Sequence, residues 1–196
     1  MVYRLPNTWR GSVAKTEPLR VLLDSSAFIA VIKGEPSATR IDGLLGMIDR
    51  GEAELVESVL VLTEIYKRST VANKKERQRQ DARLAQILAK LESPDVTLVD
   101  VTVPSARRAT DYRHEHKLKT ADAAHLATAV LNKCDWFVTL DRDFPELEDV
   151  KVFCLQALDS SIPVPWDVPV QDPLFPMTDN VVAFPPAPTT TDSVTD

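Results

Sequence analysis

The residue pattern predicts an α/β domain organised around a mainly parallel, five-stranded sheet, and three observations carry that expectation. From residue 19 onward, short runs rich in β-branched residues alternate with longer stretches of helical periodicity. The first run, Leu19 to Leu23, is apolar without a break after Arg20, as a strand covered on both faces should be. It stops at Asp24-Ser25-Ser26, where a side chain can cap the helix that follows.

The remaining elements follow in order. Ala27 to Lys33 reads as a short helix stopped by Gly34 and Pro36, and Ser37 to Arg50 as one helix carrying Ile41, Leu44, Leu45 and Ile48 at helical spacing up to Gly51. A second strand is expected at Glu54 to Glu57, with Ser58 as cap of a helix containing Leu62, Glu64 and Ile65. Glu76 to Leu91 is amphipathic, and Pro94 ends that unit. Val96 to Val101 gives a third strand, Pro104 suits the first turn of a helix, and Thr120 reads as the cap of a helix running through Asn132. Trp136 to Leu140 gives the fourth strand, closed by Asp141, and Val150 to Leu155 a fifth at the sheet edge.

Beyond Ser160 the composition changes. Eight of the 14 prolines fall between Pro163 and Pro188, and helical or strand periodicity is lost. The expected organisation is therefore an N-terminal extension (1–18), one domain (19–158) and a Pro-rich extended or disordered tail (159–196), with Trp166, Phe175 and Phe184 able to anchor parts of the tail. No internal repeat is present.

A chain of 196 residues with 44% hydrophobic content buries an ordinary single core. No apolar run spans a bilayer and the N-terminal residues form no apolar h-region, so a cytoplasmic location is expected. Cys134 and Cys154 lack metal-ligand spacing and are expected as buried free thiols. The net charge of -6 argues against a protein that coats nucleic acid non-specifically. It is compatible with an enzyme that gathers carboxylates and keeps its cations local. Lys67, Arg68, Lys74, Lys75, Arg77, Arg79 and Arg83 form such a local patch, opposed by Glu76 and Asp81; the plainer reading is a solvated helix face.

In a parallel sheet, residues leaving the carboxyl ends of strands converge on one edge, where ligands bind. Asp24 and Asp141 are such residues, and Glu64 and Asp122 reach the same edge from their helices if the strands are ordered suitably. Carboxylates brought together stay ionised only beside compensating positive charge. Hard oxygen donors suit Mg²⁺ or Mn²⁺, which acidify water for attack on a phosphodiester and neutralise charge on the phosphoryl group.

The segment Val21-Leu22-Leu23-Asp24-Ser25-Ser26-Ala27-Phe28-Ile29 resembles the opening motif of PIN-domain nucleases, and Val61-Leu62-Thr63-Glu64-Ile65 resembles their central acidic helix. Thr120-Ala121-Asp122-Ala123-Ala124-His125-Leu126-Ala127-Thr128-Ala129 is similar to the third motif, and Phe137-Val138-Thr139-Leu140-Asp141-Arg142-Asp143-Phe144 follows at the family's spacing. The resemblance covers about Leu19 to Leu155 and is strongest to the VapC-type toxins of toxin-antitoxin pairs. It implies an α/β/α sandwich and an RNA-cleaving, Mg²⁺- or Mn²⁺-dependent enzyme, forming a homodimer and inhibited by an antitoxin protein. It places the acidic quartet on Asp24, Glu64, Asp122 and Asp141, with Ser26 and Thr139 as supporting hydroxyls and Asp143 as a further acid. The two terminal extensions depart from a minimal toxin.

Taken singly, each acid has an ordinary structural use: Asp24 and Asp141 as helix caps, Asp122 as a complement to a helix dipole, Glu64 as a surface residue. His125 is expected as a packed core histidine, and His114 and His116, two apart on a helix, point different ways. Phosphatases of the haloacid dehalogenase type need a second acid where Ser26 stands, and a receiver domain needs a strand-end lysine after the last acidic motif. The alternatives are a PIN nuclease that is not a toxin and, outside the enzyme class, a PIN-fold RNA-binding or interaction module without catalysis.

Overall fold

The computed structural model describes residues 17–66, 69–156 and 164–166. Its elements run β1 (Leu19–Leu23), α1 (Ser25–Lys33), a 3₁₀ turn (Pro36–Arg40), α2 (Asp42–Asp49), β2 (Ala53–Ser58), α3 (Leu60–Ile65), α4 (Lys74–Leu91), β3 (Val96–Val99), α5 (Val103–His116), α6 (Thr120–Leu131), β4 (Trp136–Thr139) and β5 (Lys151–Cys154). Every strand pairing is parallel, in the order β3-β2-β1-β4-β5.

Alternation along the strands divides the core into two layers. Val21 and Leu23 join a cluster with residues of α1, α2 and α4, while Leu22 joins a cluster with residues of α5 and α6. The sheet is therefore sandwiched between helices, which accounts for the apolar run after Arg20 in β1. The strand order reverses beside β1: β2 and β3 extend the sheet on one side, and the chain then crosses to lay β4 and β5 on the other. The carboxyl ends of β1 and β4 flank that switch point, the crevice where ligands bind in open α/β sheets.

Local chemistry sets the element ends. Asp24 caps α1, and Gly34, at φ 67, closes it in the left-handed conformation that glycine adopts without strain. Thr102 and Ser105 form a reciprocal capping box on α5. Asn73 accepts from the Glu76 amide, so α4 starts before the expected Glu76. Thr120 is already helical, and Lys119 takes the cap position with no side-chain cap bond, contrary to the expectation for Thr120. The helix expected over Ser37 to Arg50 is broken between the 3₁₀ turn and α2, where the Arg40 carbonyl accepts the Trp166 indole N–H at 2.7 Å. Both cysteines are free, Cys134 buried and Cys154 partly so; burial pushes the Cys134 thiol up to about 12.

That tryptophan is the one of the three aromatic residues expected as anchors that falls among the described residues. Trp166 is fully buried, with its ring centroid 5.3 Å from Trp136 and 5.1 Å from Phe153, so it covers aromatic surface on β4 and β5 and belongs to the core. Residues 1–16, 157–163 and 167–196, which contain most of the N-terminal extension and of the Pro-rich tail, lie outside the described residues, as do Lys67 and Arg68.

Trp166→Ala should cost about 3–5 kcal/mol of unfolding free energy in a urea titration, the usual loss for a buried tryptophan. Gly43→Ala should also destabilise, because an added Cβ would collide with the Trp166 carbonyl oxygen. Unfolding midpoints unchanged in both variants would remove Trp166 from the core.

Candidate active site

β1 ends at Asp24, whose amide continues the ladder to β4 by donating to the Val138 carbonyl at 2.8 Å. The Asp24 side chain is buried. Its Oδ2 accepts from the Ser26 hydroxyl at 2.6 Å, the Thr139 hydroxyl at 3.0 Å and the Ser26 amide at 3.3 Å. Oδ1 is buried and has no hydrogen-bond partner among the described residues. Ser26 and Thr139, expected as supporting hydroxyls, thus both hold Asp24. They also shape the end of β4, since the Leu140 amide donates to Ser26 Oγ at 3.0 Å and the Asp141 amide to Thr139 Oγ1 at 2.9 Å. Asp141 Oδ1 in turn accepts from the Asp143 amide at 3.0 Å. Asp143 itself is exposed, and this bond engages its backbone.

Asp122 lies in the first turn of α6, partly buried. Its carboxyl is held above the ordinary carboxylate range, first by burial, then by the negative charge of Asp24; Asp141 and Glu64 add to the shift and Lys119 opposes it. One acid therefore senses all three others. The Lys119 ammonium stands 4.0 Å from both Asp122 Oδ2 and Asp141 Oδ2, a largely exposed cation drawn to the cluster. Glu64, on α3, is partly exposed, and its Oε2 is 2.6 Å from Nε2 of the fully buried His125.

Three participants lie outside the set that the sequence motifs mark. Lys119 sits three residues before Asp122, a helical spacing that signals contact. His125 is buried, as expected of a core histidine, but as the partner of Glu64. Glu57 is the third: strand alternation places it on the face of Ala53 and Leu55, and it is completely buried, accepting the Leu23 amide at 2.8 Å. A glutamate at a buried strand position is the signal that could have found it. Burial drives its carboxyl well above the usual range, and the charge of Asp24 acts in the same direction.

Among the described residues, no three His, Cys, Asp or Glu side chains are gathered closely enough to hold a metal ion as they stand. The donor chemistry nonetheless suits a divalent cation. All four acids supply hard oxygen atoms, Asp24 keeps one buried oxygen unpartnered, and Asp122 and Asp141 already share a cation at their edge.

The fold is an open parallel α/β sheet whose switch point is bordered by Asp24 and Asp141. The PIN domain model matches residues 21–150, and the chain belongs to that family, whose members are generally nucleases that use divalent metals. A solved toxin-antitoxin complex from Klebsiella pneumoniae is similar at 25% identity, covering 66% of this chain and 94% of that one, with a TM-score of 0.45. No curated protein matches the chain. No helix among the described residues is long and apolar enough to cross a membrane.

The raised Glu57 carboxyl has a signed consequence. Its stability contribution is present in full below its ordinary value of 4.5 and falls as pH rises toward the higher folded value, because the unfolded chain ionises first. In chelator-containing buffer, Glu57→Gln should therefore gain stability relative to wild type between pH 5 and pH 8. A wild-type-to-variant difference that stays constant over that range would contradict a buried neutral carboxyl.

Proposed function

We propose that the chain is a divalent-metal-dependent endoribonuclease that hydrolyses RNA phosphodiester bonds at Asp24, Glu64, Asp122 and Asp141, and that it acts as the toxin of a type II toxin-antitoxin pair. The observation that carries the reading is electrostatic: acids from β1, α3, α6 and the end of β4 share one field at the switch point, where Asp122 responds to the other three. Structural caps scattered over a surface would not.

Asp24, Asp122, Asp141 and Glu64 are the residues that would hold Mg²⁺ or Mn²⁺. When bound, such an ion neutralises charge on the phosphoryl oxygens and makes a water acidic enough to attack. The chain's own residues then divide the remaining work. Ser26 and Thr139 orient Asp24 and leave its Oδ1 available, and Lys119 offers a positive charge at the rim to a phosphate oxygen. Asp143 supports the Asp141 loop through its amide.

A cavity of about 630 Å³ opens beside Glu64, bordered by Lys33, Ser69, Thr70, Gln80 and Asp81. Gln80 and Asp81 belong to α4, whose first turns present the exposed Lys74, Lys75 and Arg77. Cations at a helix N-terminus oppose the helix dipole, so their placement serves a partner better than the helix. RNA phosphates are that partner in this reading, with an acidic protein surface as the alternative contact; Lys67 and Arg68 extend the same patch in sequence. The cognate antitoxin, the homodimer and the cytoplasmic setting rest on the motif resemblance to VapC-type toxins.

Asp24→Asn and Asp122→Asn should each abolish metal-dependent RNA cleavage. In metal-free buffer Asp122→Asn should be as stable as wild type or more so, because it relieves repulsion, whereas Asp24→Ala should lose ~1 kcal/mol with the helix cap. Mn²⁺ should raise the wild-type Tm and raise those of the variants less. Wild-type cleavage with the full metal-induced shift in either asparagine variant would eliminate the site. A purified, folded wild type with no cleavage and no metal response would instead favour the non-catalytic module.

Reversing Lys74, Lys75 and Arg77 to Glu should weaken RNA binding and reduce the slope of log affinity against log salt by up to ~2. Fluorescence anisotropy across a salt series reads both. An unchanged slope would return these residues to a solvated helix face.

A further inference from the structure

Glu64 is the acid least secured by its own element. Its helix, α3, has only six residues, carries no side-chain cap bond and ends one residue later at Ile65, with Tyr66 leaving helical geometry at ψ 71. Helices this short are marginal without tertiary support. A buried group reaches Glu64 from the opposite element, α6, whose residues Ala123 to Ala129 are all buried and hold the His125 ring among them. Asp122 precedes His125 by three residues, so α6 presents one acid of the quartet and the partner of another on one face.

The two ring nitrogens of His125 differ in their surroundings. Nε2 meets Glu64 Oε2 at 2.6 Å, while Nδ1 is buried with no partner among the described residues. A 2.6 Å approach to a carboxylate oxygen is hydrogen-bond geometry, with the ring Nε2–H as donor.

We propose that His125 is a positioning residue for the quartet: its Nε2–H donates to Glu64 Oε2 and ties α3 to α6, fixing where the Glu64 carboxylate stands. Outer donors of this kind orient metal-ligating carboxylates and tune their affinity. The proposal rests on the reading of the quartet as a divalent-cation site, and its test separates the two.

Full-length wild type, Asp24→Asn, His125→Leu and His125→Gln are titrated with Mn²⁺ by calorimetry, with thermal melts confirming that each is folded. His125→Leu should lose ~10-fold or more in Mn²⁺ affinity, and His125→Gln, which keeps an N–H donor, should stay within ~3-fold of wild type. A histidine that only fills the core would lower the Tm of both variants and leave Mn²⁺ affinity unchanged, which overturns the proposal. Loss of Mn²⁺ binding in Asp24→Asn beside unaltered binding in His125→Leu overturns the positioning role alone. Equal Mn²⁺ binding by wild type and Asp24→Asn, or none by wild type, overturns the metal site and the proposal with it. Should His125→Leu not fold, ¹⁵N imidazole spectra of wild type decide: a proton on Nε2 supports the assignment, and an Nε2 that carries none sinks it.

Discussion

One carboxylate oxygen joins the ends of the two central strands. Asp24 Oδ2 takes the Ser26 and Thr139 hydroxyls, and those same hydroxyls receive the Leu140 and Asp141 amides from the far side of the switch point. The start of α1, the end of β4 and the turn bearing Asp141 are thereby referred to a common centre. Because that centre is buried, its bonds are made in a medium where polar groups left unpaired are costly, and the whole arrangement is held to a narrow geometry. Serine and threonine suit this position because each hydroxyl donates once and accepts at least once, so charge at Asp24 is relayed to backbone amides without a second ion.

The neighbourhood carries opposing demands. Sheet burial favours apolar side chains throughout β1, β2 and β4, yet chemistry needs charge at their ends. Asp24 and Asp141 resolve the conflict by standing just beyond the strands, where backbone and hydroxyl donors are available. Glu57 does not have that freedom. It lies within β2 and gives a side-chain oxygen to the Leu23 amide, and burial raises its carboxyl well above the usual range.

The strands and the acids beyond them are legible because both signals are local: an unbroken apolar run marks a doubly covered strand, and an aspartate at its end marks a site or a cap. Asp24 serves as a cap as well as a candidate ligand, so its two uses are not exclusive. What stays hidden depends on contacts between distant residues. Nothing near Arg40 announces that Trp166 will take its carbonyl and interrupt a helix of sound periodicity. Composition marks Trp166 as a possible anchor of the Pro-rich stretch, but not the aromatic surface of Trp136 and Phe153 that receives it. The apolar helix around His125 announces its burial, but its partner lies on another helix and has no signature in spacing.

The late position of Trp166 also bears on how the molecule comes into being. Domains assemble vectorially as a chain leaves the ribosome, and local units close first. Here the layer of α1, α2 and α4 is complete in sequence by Leu91, but the indole that seals its side of β4 and β5 is made some seventy-five residues later (166 against 91). Until then the Arg40 carbonyl lacks its indole donor and Trp136 and Phe153 lack a cover. The nascent protein thus passes through a stage in which all four acids have been synthesised while the aromatic surface of β4 and β5 still awaits its cover.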